Sequence, residues 1–133
     1  DTRHPAPQND PTGSVLGAAA PTIHTLSANA RDMRLQGLPS GYVLKRGDYL
    51  AFDYGGRRAL HRVASVSVTT AGTGITPTFE VVPMIRAGAL VGAAVTLIQP
   101  SCRARLIPNQ TDKGTGRATI HEGISFQFIQ TLK

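Results

Sequence analysis

The chain has 133 residues, 41% of them hydrophobic, with 14 Gly, 9 Pro and no Trp; this suffices for one ordinary globular core, burying roughly 65–70% of the surface that the unfolded chain exposes. The net charge is +6, and Arg supplies most of the 14 basic side chains, which suits planar contacts to carboxylates or phosphates and association with acidic surfaces. Cys102 is the single cysteine, which excludes an intrachain disulfide and a cysteine zinc cluster, and no apolar stretch reaches the ~18–20 residues that a membrane-spanning helix needs.

Residues 1–21 carry Pro5, Pro7, Pro11 and Pro21 with almost no periodicity. Proline removes backbone donors, so this segment reads as an extended arm or linker. It opens on Asp1 in place of methionine, as a processed product or a piece of a longer protein does, and it lacks the basic-then-apolar pattern of a signal peptide. From Thr22 the pattern changes. Ile23 and Leu26 open a short strand, and Met33 and Leu35 alternate with Asp32, Arg34 and Gln36. After a turn-rich lead-in come two β-type runs, residues 49–54 and 59–69, separated by Gly55 and Gly56, whose access to positive φ permits a tight reversal. This is a hairpin, with Phe52 in the core.

Residues 75–82 alternate again, and Pro77 marks them as an edge or bulged strand. Residues 87–94 hold one helical turn at most. Residues 95–98 and 102–107 read as a second hairpin, with Pro100 and Ser101 at the reversal and Arg103 and Arg105 on one outward face. Residues 109–116 form a loop by composition. Residues 124–131 close the chain as an amphipathic strand in which Ile124, Phe126 and Phe128 alternate with Ser125 and Gln127. The expected fold is all-β: a small barrel or sandwich of about seven to eight short strands behind an extended N-terminal arm. The expected division is residues 1–21 as arm, 22–108 as the β domain, and 109–133 as a loop and terminal strand able to pair with another domain or subunit.

Chemistry-bearing motifs are sparse. His4, His24, His61 and His121 never stand at i, i+4 spacing, so a metal site would need distant residues brought together. His61 alternates with core positions and reads as a partly buried, hydrogen-bonded side chain. Glu80 and Glu122 are isolated, and nothing in their spacing suggests paired-carboxylate hydrolysis. Gly114-Thr115-Gly116 lacks the strand and helix context of a phosphate cradle. Arg46-Gly47-Asp48 matches an adhesion tripeptide, but turn geometry accounts for it: Gly47 supplies backbone freedom, and Asp48 can accept from the backbone as the next strand begins. Asn109-Gln110-Thr111 fits a glycosylation sequon in a loop. No cofactor, metal or catalytic group is expected, and the chain reads as a non-enzyme.

The order and spacing of several segments resemble the carboxyl-terminal half of bacteriophage distal-tail (minor-tail, tail-tip) proteins of siphophages and gene-transfer particles. The carrying residues are Asp1-Thr2-Arg3-His4-Pro5, Val43-Leu44-Lys45-Arg46-Gly47-Asp48-Tyr49-Leu50, Leu60-His61-Arg62-Val63, Val82-Pro83-Met84-Ile85-Arg86 and Gly123-Ile124-Ser125-Phe126-Gln127-Phe128. The segment Gly37-Leu38-Pro39-Ser40 lacks the Trp that the family pattern places nearby. The resemblance implies a ring-forming domain followed by an arm, a small β-barrel, and a last strand that returns to the ring. It implies a virion component made in the bacterial cytoplasm, with other tail proteins and copies of itself as partners, and with host-surface glycan contact.

The candidate interface is Arg57, Arg58, Arg62, Arg103, Arg105, Ile124, Phe126 and Phe128. The alternative is a stand-alone module that binds anionic glycans, or single-stranded nucleic acid through a barrel of oligonucleotide-binding type, with salt-sensitive affinity. Nucleic acid is the weaker option, because few aromatic platforms stand among the arginines. No membrane insertion is expected. A glycan hydrolase is a third class with no residue to carry it.

Overall fold

The computed structural model describes residues 6–108, 115–117, 120–122 and 125–131. Among these residues there is no helix; all regular structure is β. The strands are β1 (Thr22–Leu26), β2 (Asp32–Gln36), β3 (Val43–Lys45), β4 (Tyr49–Tyr54), β5 (Arg57–Val63), β6 (Ser67–Thr69), β7 (Phe79–Val82), β8 (Val95–Thr96), β9 (Ala104–Leu106), β10 (Thr115–Arg117), β11 (Ile120–Glu122) and β12 (Phe128–Gln130).

Six strands form one antiparallel sheet in the order β1-β2-β7-β5-β4-β8. Its ends meet: Thr22 bridges Ala94, the Ile23 N–H donates to the Ala93 carbonyl at 2.9 Å, and the Val95 N–H donates to the Pro21 carbonyl at 2.8 Å. The sheet is therefore a nearly closed barrel, which satisfies the edge groups that an open sheet would leave unpaired. Alternate residues point inward. Ile23, Met33, Leu35, Leu50, Phe52, Phe79 and Val81 are fully buried and fill it without tryptophan. Burial of such side chains, at about 1.5–3 kcal/mol each, is the main force holding the barrel closed.

The first hairpin forms as the sequence implies, with Tyr49 opposite Arg62 and Tyr54 opposite Arg57 across Gly55 (φ 54°) and Gly56 (φ 77°). Its second arm departs from expectation, because residues 59–69 are two strands, not one. The inward set runs Ala59, His61, Val63 and resumes at Val68, one position out of phase. At the break, the Ala64 N–H donates to the Glu80 carbonyl at 2.8 Å, while the Ser65 hydroxyl accepts from the Glu80 N–H at 2.9 Å. β6 then pairs with β3, which precedes β4, so β3–β4 and β5–β6 form one long ribbon bent in the middle.

The second expected hairpin is absent. β8 adds to β4, and β9 pairs instead with β12; between them Leu97 and Ile98 still pack in or against the core, and residues 97–103 form no strand. β7 is not an edge strand either; it lies between β2 and β5. The strand is also shorter than the expected run, Phe79–Val82: Phe79 stands opposite Met33, and ahead of it the Thr76 N–H donates to the Leu35 carbonyl at 2.9 Å. Pro77, which has no N–H, lies ahead of the strand. Residues 87–94 run as turns with no helical turn.

Residues 6–21 contain no regular element, as the prolines require, but they lie against the barrel. Leu16 joins the core, and the buried Asp10 carboxylate accepts from the Val15 N–H (3.1 Å), the Leu16 N–H (2.9 Å) and the Tyr42 hydroxyl (3.3 Å).

Candidate interaction surface

Two surfaces gather most of the candidate residues, and both border the outer face of the β4–β5 hairpin. On that face Asp53 stands directly opposite Arg58. Arg58 is half-exposed and spoken for: Nη1 pairs with the Asp53 carboxylate at 3.3 Å, and Nη2 donates to the Thr96 hydroxyl at 2.6 Å. Its Nε is buried with no partner. An exposed pair of this kind contributes less than about 1 kcal/mol to stability, so its main effect is to fix where the guanidinium points. Segment 101–103 faces this pair across an open cleft of about 400 Å3, lined by Asp53, Gly56, Arg58, Ser101, Cys102 and Arg103. Burial pushes the Cys102 thiol pKa up, which favours the unreactive protonated form. Arg57, at the hairpin turn, is exposed and is not part of the lining.

The second surface is the β9–β12 ribbon. Phe128 stands opposite Leu106, Ile129 opposite Arg105, and Gln130 opposite Ala104. Further bonds extend the pairing at both ends: the Ile107 N–H donates to the Gln127 carbonyl at 2.9 Å, and the Thr131 N–H to the Arg103 carbonyl at 3.0 Å. Gln130 ties the ribbon to the barrel. Its carboxamide nitrogen donates to the Leu60 carbonyl at 3.3 Å, and its oxygen accepts from the Leu60 N–H at 3.1 Å. A side chain thus supplies what a neighbouring strand would, at a position where β7 does not reach β5.

Because residues opposite one another share a face, the side of the ribbon that carries Gln130 also carries Phe128 and Leu106. Phe126 joins them, its ring 6.4 Å from that of Phe128. Beyond the barrel this side is bare: Phe128 is 64% exposed, Phe126 55% and Leu106 41%, while Ile129 on the other side is 59% exposed. Of the amphipathic strand expected over residues 124–131, the structure shows Phe128–Gln130, with apolar side chains exposed on both of its sides. Ile124 lies outside the described residues. Arg105 is exposed beside Ile129, so cation and apolar surface alternate across the ribbon.

Arg62 is exposed and sits apart from the other arginines, on a cleft of about 350 Å3 shared with Tyr49, Leu60, His61, Val82, Pro83 and Gln130. His61 is more deeply buried than expected. Its ring stacks on Phe52 with centroids 4.9 Å apart, and Nδ1 donates to the Pro83 carbonyl at 2.8 Å. Burial holds its pKa below the ordinary imidazole value, outweighing the opposing effect of the Pro83 bond. A neutral ring follows, with Nε2 buried and unpartnered.

Asp48 of the tripeptide is buried and its carboxylate is saturated. It accepts from the Lys45 N–H at 2.7 Å, the Gln8 N–H at 3.0 Å and the Gln8 side-chain amide at 3.1 Å. The turn reading is the correct one, since an adhesion receptor would need this carboxylate free. Among the described residues no group of three or more His, Cys, Asp and Glu side chains is placed to hold a metal ion.

Sequence reasoning missed Asp53, Cys102, Leu106, Ile129 and Gln130. The only cue to Asp53 was its place opposite Arg58 across the two-glycine turn. Leu106 and Ile129 escape a sequence reading because β9 pairs with the distant β12 and not with the neighbouring β8. No family model matches this chain, and neither does any curated protein or solved structure.

Proposed function

We propose that the protein is a non-enzymatic structural component of a phage or phage-like tail tip, acting in the virion through contacts with other tail proteins and with copies of itself. The observation that carries this reading is the β9–β12 ribbon, a two-stranded element hydrogen-bonded through Gln130 to the nearly closed barrel, which leaves Phe126, Phe128 and Leu106 uncovered. Exposed apolar surface of this kind suits burial against another protein, and aromatic side chains dominate the energetics of such contacts. Arg105 beside Ile129 would then meet an acidic rim on the partner. The order of segments that resembles distal-tail proteins points the same way.

The test is incorporation. Particles assembled with Phe126→Ser and Phe128→Ser together should lack the protein or its tip, while the purified double variant keeps the wild-type melting curve. Normal tips assembled from the double variant would refute the reading. The alternative, a stand-alone anion-binding module, draws on the arginines of the first cleft, where Asp53 already neutralises Arg58 and leaves Arg103 as the unpaired cation.

A further inference from the structure

The cleft between the β4–β5 turn and segment 101–103 is left unused by a purely structural role. Its volume, about 400 Å3, lies within the roughly 300–1,000 Å3 typical of small-molecule sites. Among the described residues of the lining, two guanidiniums, Arg58 and Arg103, face one carboxylate, Asp53, a net charge of one positive unit. Arg58 is immobilised by Asp53 and Thr96, whereas Arg103 is exposed and makes no side-chain pair among the described residues. The Ser101 hydroxyl donates and accepts, and the unused lone pairs of Asp53 accept.

These groups select by charge. A dianionic phosphate would meet the Asp53 carboxylate, and a neutral sugar would leave Arg103 unmatched. A monoanion that also carries several hydroxyls matches all of them. We propose that this cleft binds a uronic-acid unit, a sugar ring bearing one carboxylate, with that carboxylate on Arg103 and the ring hydroxyls on Asp53 and Ser101. The site does not depend on the tail-tip reading, since it uses none of the ribbon's apolar residues. Where a tail tip meets a host surface, it would serve to recognise an acidic polysaccharide.

Cys102 supplies the readout, because it lines the cleft and is the only thiol in the chain. The rate of its reaction with a disulfide reagent is followed on the full chain above neutral pH, at constant ionic strength, with sodium glucuronate, glucose or sodium acetate added. Glucuronate should slow the reaction saturably, while glucose and acetate leave it unchanged. Arg103→Ala, at an exposed position, should raise the half-protecting concentration about twofold to fivefold, the loss expected for one solvent-exposed ion pair. Absence of protection by glucuronate, equal protection by acetate, or unchanged protection in Arg103→Ala would each overturn the proposal.

Discussion

Replacing Asp48 with alanine should destabilise the protein by about 3 kcal/mol, because two backbone donors in part-buried surroundings lose their only acceptor. Those donors are the N–H groups of Lys45 and Gln8, at 2.7 and 3.0 Å from the carboxylate. Each stranded donor costs about 1–3 kcal/mol. The third donor, the Gln8 side-chain amide, also bonds the exposed Arg46 carbonyl at 2.9 Å, so it can turn to water and adds little. The bend itself keeps the Val63 N–H to Asp48 carbonyl bond at 2.8 Å and the freedom of Gly47 at φ 100°. Asp48→Asn retains one acceptor oxygen and should cost about half as much.

Urea unfolding followed by circular dichroism measures the effect. With a slope of about 1.5–2 kcal/mol/M, the alanine variant's midpoint should fall by about 1.5–2 M, with the slope unchanged. Amide exchange at Lys45 and Gln8 should accelerate in step. A loss below about 0.5 kcal/mol, the level of an ordinary surface substitution, would refute the argument, meaning that the ribbon ladder and Gly47 hold the bend without the carboxylate.

Stability should fall on acidification through two groups. Burial, outweighing the opposing Pro83 bond, keeps the His61 pKa below 6.5, so the unfolded chain binds a proton that the native ring resists; the contribution is complete above 6.5 and is lost as pH falls from there toward the folded value. Burial raises the Asp10 pKa, but the bonds from Leu16, Val15, Tyr42 and Gly13 outweigh it, and the net shift is below 3.8; this contribution is present above 3.8 and is lost as pH falls through the lower folded value. Urea midpoints that rise on acidification would contradict both assignments. His61→Phe should flatten the pH dependence between about pH 5 and 7. Gln130→Ala should speed Leu60 amide exchange about fivefold, corresponding to one ordinary hydrogen bond, while leaving the barrel core protected; unchanged exchange would mean that Gln130 does not dock the ribbon. Phe126→Ser with Phe128→Ser should change stability by less than about 0.5 kcal/mol per site, because both rings are already exposed; a large loss in thermal melts would show that they belong to the core.

Much of the barrel was legible in the sequence. Period-two runs at Met33 to Leu35 and Tyr49 to Tyr54, with glycines between β4 and β5, fix local extension and reversal by steric and hydrophobic rules that need no distant partner. Pairing over longer range was not legible. The slip of phase between Val63 and Val68 passes unnoticed in a run that keeps high β propensity, and only the bonds of Ala64 and Ser65 to Glu80 explain it. In the same way, Val95-Thr96 and Ala104 to Leu106 look like neighbours in sequence, yet each finds a better partner elsewhere. The candidate surface was half visible. Arginines and a terminal apolar alternation can be counted in a sequence, whereas the neutralising contact of Asp53 on Arg58 and the docking of Gln130 on Leu60 depend on tertiary placement.

The most direct test of the tail-tip role is negative-stain electron microscopy of tailed particles from the source culture, labelled with a gold-conjugated antibody against this protein. Gold confined to the distal end of the tail is the predicted result. Intact tailed particles that carry no label, with the protein recovered only free of them, would contradict the account.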